Sequence, residues 1–205
     1  MKMRSIALSC EEILLIGGGG HCKSCIDVIE LQGIYDIKGI IDIKEKVGSF
    51  VLGYPVIAID DEIKKLAQQH INFLIAIGQL RSPLRRKELF QKVKASGGKF
   101  PVIKSPMAYV SKHAFIGEGT VIMHHATINA AAFVGANCII NTGAIVEHDA
   151  VIGDNCHIAP GAIVNGEVKI GNDTFFGSGA VSRQCISVRD GSFVKAHSLV
   201  KVNSE

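Results

Sequence analysis

The apolar residues in the second half of the chain recur with a period of six. From Val110 to Phe176 every sixth position is aliphatic or aromatic: Val110, Ile116, Ile122, Ile128, Val134, Ile140, Val146, Ile152, Ile158, Val164, Ile170 and Phe176. The residue two before each is small or medium, from Ala108 through Cys138 and Cys156 to Thr174. A short strand turns alternate side chains to the same side, so each hexad offers two inward positions. This is the pattern of a parallel β-helix, in which each hexad forms one flat side and stacked coils bury the large and small columns. Gly117, Gly135, Gly153 and Gly171 follow the aliphatic residue at intervals of eighteen, which predicts three-sided coils with these glycines at one corner. About four coils at ~4.8 Å each would make a prism roughly 20 Å long. The phase breaks at Ser182 and resumes at Val188, Val194 and Val200, so the last coil is expected to be irregular and to cap the stack against edge pairing. Cys138 and Cys156 fall in the small inward column and read as packing residues.

The first half follows a different rule. Ile13–Ile16 is a continuous apolar run ending in Gly17–Gly20, which predicts a buried parallel strand and a tight turn, with a helix over His21–Gln32. A second strand is expected over Ile37–Asp42, a later one over Ile71–Ile77, and a helix over Ser82–Lys94. The fold class is therefore α/β plus β: a small Rossmann-like unit over 1–103, then a β-helix over 104–205. A glycine turn feeding a helix N-terminus suits a phosphate; the bland alternative is a tight turn without ligand, and phosphate binding is the favoured of the two. The dinucleotide fingerprint requires a sixth-position glycine, and Cys22 stands there, which disfavours NAD. Asp42, at a strand's carboxyl end, stands where such folds hold a ribose or base, and reads equally as a turn residue. Cys22 and Cys25 have redox-pair spacing but read as packing residues.

Composition narrows the partners. The 205 residues carry a net charge of +3, with 47% hydrophobic and 20% charged positions, no tryptophan and no long Lys/Arg run. That excludes a disordered chain and a basic nucleic-acid stripe. The apolar run before the glycines is too short for a signal-peptide core or a membrane span, so a cytoplasmic protein with reduced thiols is expected.

Eight histidines are present, four of them between 124 and 157. His148 falls two after inward Val146, at a corner; His157 falls one before Ile158 and points outward, so neither is expected in the core. Half a coil separates them, so a groove shared with another subunit is expected to unite them, and flat-sided prisms assemble well as cyclic trimers. A neutral imidazole suits proton removal from an attacking amine at pH 7. Flanking Glu147 and Asp149 could fix its tautomer; Glu-His-Asp also reads as a merely polar corner.

The stretch Ile139–Asp149, continuing through Val151–Asp154 to His157, closely resembles the sialic acid and bacillosamine acetyltransferases of the NeuD/PglD type. The likeness spans roughly residues 13 to 190 and includes Gly17–His21 and Ala76–Gly78. It implies a left-handed β-helix that binds acetyl-CoA between the subunits of a homotrimer, and a first domain that carries the nucleotide of a UDP-sugar. The implied reaction is N-acetylation of the 4-amino group of a UDP-4-amino-4,6-dideoxy-N-acetylhexosamine, without metal. Carried over by position, His148 is the base and Asp149 its partner, while His157 contacts the thioester region. Gly166 N–H meets the oxyanion and Asn141 lines the acceptor groove. Gly20, Asp42, Gly78 and Arg85 are assigned to the nucleotide side. Many relatives end in Gly-x-Pro-Ala-Lys, whereas this chain has Phe193–His197 and no proline after 160, so Lys195, Arg183 or Lys201 would supply charge for CoA. Residues 79–83 also differ from the bacillosamine enzymes. O-acetylation of a sialic-acid-like sugar is the near alternative. A zinc enzyme like the γ-type carbonic anhydrases, with ligands from His124, His125, His148 and His157, and a non-catalytic binding protein are the alternatives of other classes.

Overall fold

A computed structural model describes residues 10–69, 72–80 and 82–201. Strands β1 (Glu11–Ile16), β2 (Tyr35–Ile41), β3 (Phe50–Val51), β4 (Tyr54–Ala58) and β5 (Asn72–Ile75) form one sheet in the order β3-β4-β2-β1-β5. It is parallel except for the β3–β4 hairpin. Helices α1 (Gly20–Gln32), α2 (Ile63–Ala67) and α3 (Leu84–Ala95) complete the layer. β1 is apolar throughout its second half because both faces are covered: Ile13 and Leu15 meet α1 through Cys25, Ile26 and Ile29, whereas Leu14 and Ile16 meet Ile63, Leu89 and Val93. The expected strand at 71–77 is β5, which ends earlier, at Ile75; Ile71, like His70, lies outside the described residues. β3, β4 and α2 were not expected, since two to five residues carry too little periodicity. Their turn, Leu52–Gly53, takes positive φ at both positions (48° and 88°), the geometry that matches hairpin twist.

From Ile103–Lys104 to Leu199–Val200 the chain winds through two-residue strands in three parallel sheets of six, five and six strands. Each strand pairs with the one eighteen residues on, as Ile139 with His157 and Ile145 with Ile163. The inward columns form one continuous core from Ile122 to Val188. Six strands rise about 24 Å, more than the four coils expected. At the glycine corner a Cβ on Gly153 would lie 2.7 Å from the Asn172 backbone nitrogen, so no side chain fits between coils there.

Two expectations fail in this half. The register persists at Ser182, which is fully buried in the inward column; its Oγ accepts a hydrogen bond from the Asn165 N–H (2.9 Å), which satisfies a polar atom in an apolar stack. The last coil is regular, with Phe193–Val194 and Leu199–Val200 paired to the coil below.

The first layer lies on one side of the prism. Ile103, Val121 and Ile139 point out from that side yet are fully buried in the cluster that holds Cys22 and Cys25. Arg86 of α3, 1% exposed, donates to the carbonyls of Ile75 (3.1 Å) and Ile77, and to the Asn137 backbone oxygen (2.8 Å) and side chain (3.0 Å). Asn137 donates in turn to Asn155, Asn155 to Asp173, and Lys87 reaches Asp173. Two consecutive residues of α3 thus hold a corner ladder three coils tall. On α1, Asp27 bonds His124, whose other nitrogen bonds Ser105.

Candidate functional site

A cleft of about 570 Å³ opens between the layer and the prism, lined by Gly17–His21, Asp42, Lys46, Ala76–Leu80, Asn141 and His157. Gly17 takes φ 98°, and its N–H is held by the Ile41 carbonyl (2.8 Å). The Gly18 N–H donates to Asp42 (2.7 Å), as do the Ile43 N–H (2.7 Å) and the Lys46 ammonium (2.8 Å). Partial burial pushes the Asp42 carboxyl up, but Lys46 and the two backbone donors outweigh it and leave it below the usual range. Gly19 and Gly20 face open space at the start of α1. This is free room at the positive end of a 13-residue helix.

His157 does point out from its strand, as expected, but it is only 6% exposed because the first layer covers it. Its Nδ1–H donates to the Gln79 carbonyl (2.7 Å), so Nε2 is the acceptor for the Asn141 amide (3.0 Å). Burial, with Arg86 nearby, lowers its pKa to about 4 despite the Gln79 bond. His21 beside it is lowered to about 3, by burial first and then by Arg86 and His157. Both imidazoles are neutral at pH 7. Cys22 and Cys25 are fully buried in the apolar cluster, where packing residues belong; burial, with Asp42 adding, pushes Cys22 up to about 12, and Cys25 is raised by burial as well.

His148 stands elsewhere. Its ring is 60% exposed and its Nδ1 bonds Asp149 at 2.8 Å. That bond foremost, against slight desolvation, raises its pKa. Asp149 takes φ 59°, a left-handed corner conformation that turns its carboxylate back onto the ring. The ring lies over Gly166, where a Cβ would come within 2.9 Å of Cε1 and Nε2. One coil further, Gln184 joins Asn165, Arg183 and Lys201 around a second depression of about 420 Å³.

The strands at 145–146, 151–152 and 157–158 lie in three different sheets. His148 therefore marks the corner opposite the side that bears His157. Gly20, Asp42, Gly78, Asn141 and His157 share one cleft; His148, Asp149 and Gly166 share the far corner. Arg85 pairs with Asp60 beside a smaller pocket that Asp42 also lines, and Lys195 is exposed on the last coil. Of the four suggested zinc ligands, His124 and His157 have both ring nitrogens bonded to protein.

The PglD N-terminal domain matches residues 12–93, bacterial transferase hexapeptide repeats match 131–166 and 149–181, and the hexapeptide repeat of succinyl-transferase matches 167–197. The acetyltransferase domain of PglB from Neisseria gonorrhoeae FA1090, solved with acetyl coenzyme A, is 30% identical and superposes with a TM-score of 0.86 over 95% of this chain and 92% of that one. The chain belongs to the PglD-type sugar acetyltransferase family. PerB from Caulobacter crescentus, solved with CoA and GDP-perosamine, is 32% identical with a TM-score of 0.86 over 98% of this PglD-type chain and 92% of PerB. The UDP-N-acetylbacillosamine N-acetyltransferase of Bacillus subtilis is 36% identical over 116 residues, 55% of this chain and 51% of the relative, so the chain spans about half of that curated protein's length.

Sequence reasoning missed Lys46 and Gln79 in this PglD-type cleft and Arg86 at the seam between layer and prism. Lys46, four residues after Asp42, had a usable signal in its spacing. Arg86 had none: Arg85 and Arg86 look alike in the sequence, and only the docking of α3 buries one and exposes the other.

Proposed function

We propose that the protein transfers an acetyl group from acetyl-CoA to the 4-amino group of a UDP-4-amino-4,6-dideoxy-N-acetylhexosamine. The observation that carries the reading is the His148–Asp149 pair above Gly166, in the same corner as the basic depression of Arg183 and Lys201. With Nδ1–H committed to Asp149, the Nε2 lone pair is left to act as the base. The sugar amine bonds to the acyl carbon, its proton passes to Nε2, and the C–S bond breaks to release CoA, whose sulfur recovers the proton. The Gly166 N–H meets the oxyanion, a donor typically worth about 3 kcal/mol of barrier. Arg183 and Lys201 attract the cosubstrate's phosphates, and Lys195, at the neighbouring corner of the last coil, adds positive charge.

The nucleotide sits in the cleft, its diphosphate on the free amides at the start of α1 and its ribose at Asp42. Remote binding energy there orients the amine. Asn141 and His157 border the sugar. Arg85, already engaged by Asp60, serves at most the rim. Since His148 and the cleft face opposite ways, the working unit is a homotrimer in which one copy's cleft meets another's corner. Among the described residues the cysteines are free thiols, in keeping with a cytoplasmic setting, and no helix there is long and apolar enough to cross a membrane. Thiol release with the UDP-amino sugar should fall about 10²- to 10⁴-fold in His148→Ala; wild-type turnover in that variant ends the mechanism. Light scattering should return three times the 21.9 kDa chain.

A further inference from the structure

Gln79 is the residue of the cleft whose chemistry is least spent. The residue is 1% exposed, yet among the described residues neither its amide nitrogen nor its amide oxygen has a partner. Its backbone carbonyl is pinned by His157 (2.7 Å), which fixes where the side chain starts. Next to it the His21 Nε2 is also buried and without partner. A buried amide left unbonded is costly, so such groups in native folds ordinarily have a partner or await one. The other polar groups around them are already engaged: Asp42 by three donors and the His157 ring by two partners.

The two orphans describe what they would bind. A primary amide offers a donor and an acceptor side by side. His21, held neutral by burial and by Arg86, adds an uncharged imidazole nitrogen. Neither group carries the positive charge that favours a phosphate, for which the start of α1 lies open in the same cleft. The complement is an uncharged group with its own N–H and carbonyl.

We propose that Gln79, assisted by His21, is a specificity-determining residue that reads a secondary amide, –CO–NH–, of the nucleotide sugar. The inference rests on the cleft holding that substrate. Two parts of the ligand carry such an edge: the imide of a pyrimidine-dione base and the acetamido substituent of the hexose. The assignment is independent of His148, because binding needs no chemistry.

Isothermal titration of UDP, UDP-glucose and UDP-N-acetylglucosamine, without acetyl-CoA, into wild type and Gln79→Leu separates the sources. If Gln79 reads the acetamido group, the variant loses about 10- to 100-fold for UDP-N-acetylglucosamine alone, which falls to the level of UDP-glucose. If it reads the base, all three ligands weaken by the same factor. Gln79→Leu removes an unpartnered amide, so its melting temperature should not fall; should it fail to fold, Gln79→Met carries the same comparison. Unchanged affinity for all three in the folded variant overturns the proposal and leaves the nucleotide-sugar reading intact. Absence of binding by wild type overturns that reading and the proposal with it.

Discussion

Replacing Gly166 by alanine tests whether the pose of the His148 ring matters. The added Cβ would lie 2.9 Å from both Cε1 and Nε2, whereas non-bonded carbons rest about 3.5–4.0 Å apart. The ring must therefore move by about 0.6 to 1 Å. It can do so cheaply, being 60% exposed, and Gly166 is not among the glycines with positive φ, so its backbone tolerates a side chain. Stability should stay within about 0.5 kcal/mol of wild type, the usual scale for a change that a solvent-facing group absorbs. Catalysis should not: a misplacement near 1 Å costs on the order of 10² in rate. The control is Gly153→Ala, whose Cβ would meet the Asn172 side-chain oxygen at 2.6 Å and its backbone nitrogen at 2.7 Å. Backbone in the next coil cannot swing away, so about 3 kcal/mol is lost, or roughly 6 to 12 °C in Tm. Thiol-release kinetics and thermal melts on both variants decide the matter. A Gly166→Ala enzyme with kcat within about threefold of wild type, where ~10² is expected, would refute the pose argument; so would a melt as depressed as that of Gly153→Ala.

The remaining expectations concern charge. Because Asp149 favours the imidazolium of His148 and raises its pKa, the neutral base forms only at higher pH; kcat/KM should rise with pH, and Asp149→Asn should shift that rise to lower pH while reducing the plateau. A profile unmoved by Asp149→Asn would detach the carboxylate from the base. His157 and His21 are depressed to about 4 and about 3, so the unfolded chain binds more protons below its own histidine pKa near 6.5. Stability should be full above about pH 6.5 and fall as pH drops toward 4; chemical denaturation should show a shallower slope in His157→Gln. Arg86→Ala leaves the Ile75, Ile77 and Asn137 oxygens without their donor and should cost about 3 kcal/mol or more in urea unfolding.

The candidate site was legible in unequal parts. That His148 and Asp149 sit at a corner could be read because the phase of the repeat is known, whereas their roles and that of Gly166 came only through the family resemblance. The glycine turn and Asp42 could be read from the ends of apolar strands. Arg86 and Gln79 could not, since their importance lies in what they touch across the seam. The expectation at Ser182 failed for a related reason: a hydroxyl in an apolar column looks like a break in phase until the Asn165 N–H is seen to bond it.

The repeat itself needed no coordinates. Alternation along a strand sets which residues face inward, and pairing at eighteen residues sets what stacks on what, so the three-sided prism, its columns and its glycine corner follow from local order alone. The side of the prism that is covered does not follow, because outward positions obey no periodic rule. Ile103, Val121, Ile139 and His157 are buried only because a non-repeating layer docks on them, held by Arg86 and Lys87 at the corner ladder. That long-range packing converts an outward histidine into a buried, neutral wall of the cleft.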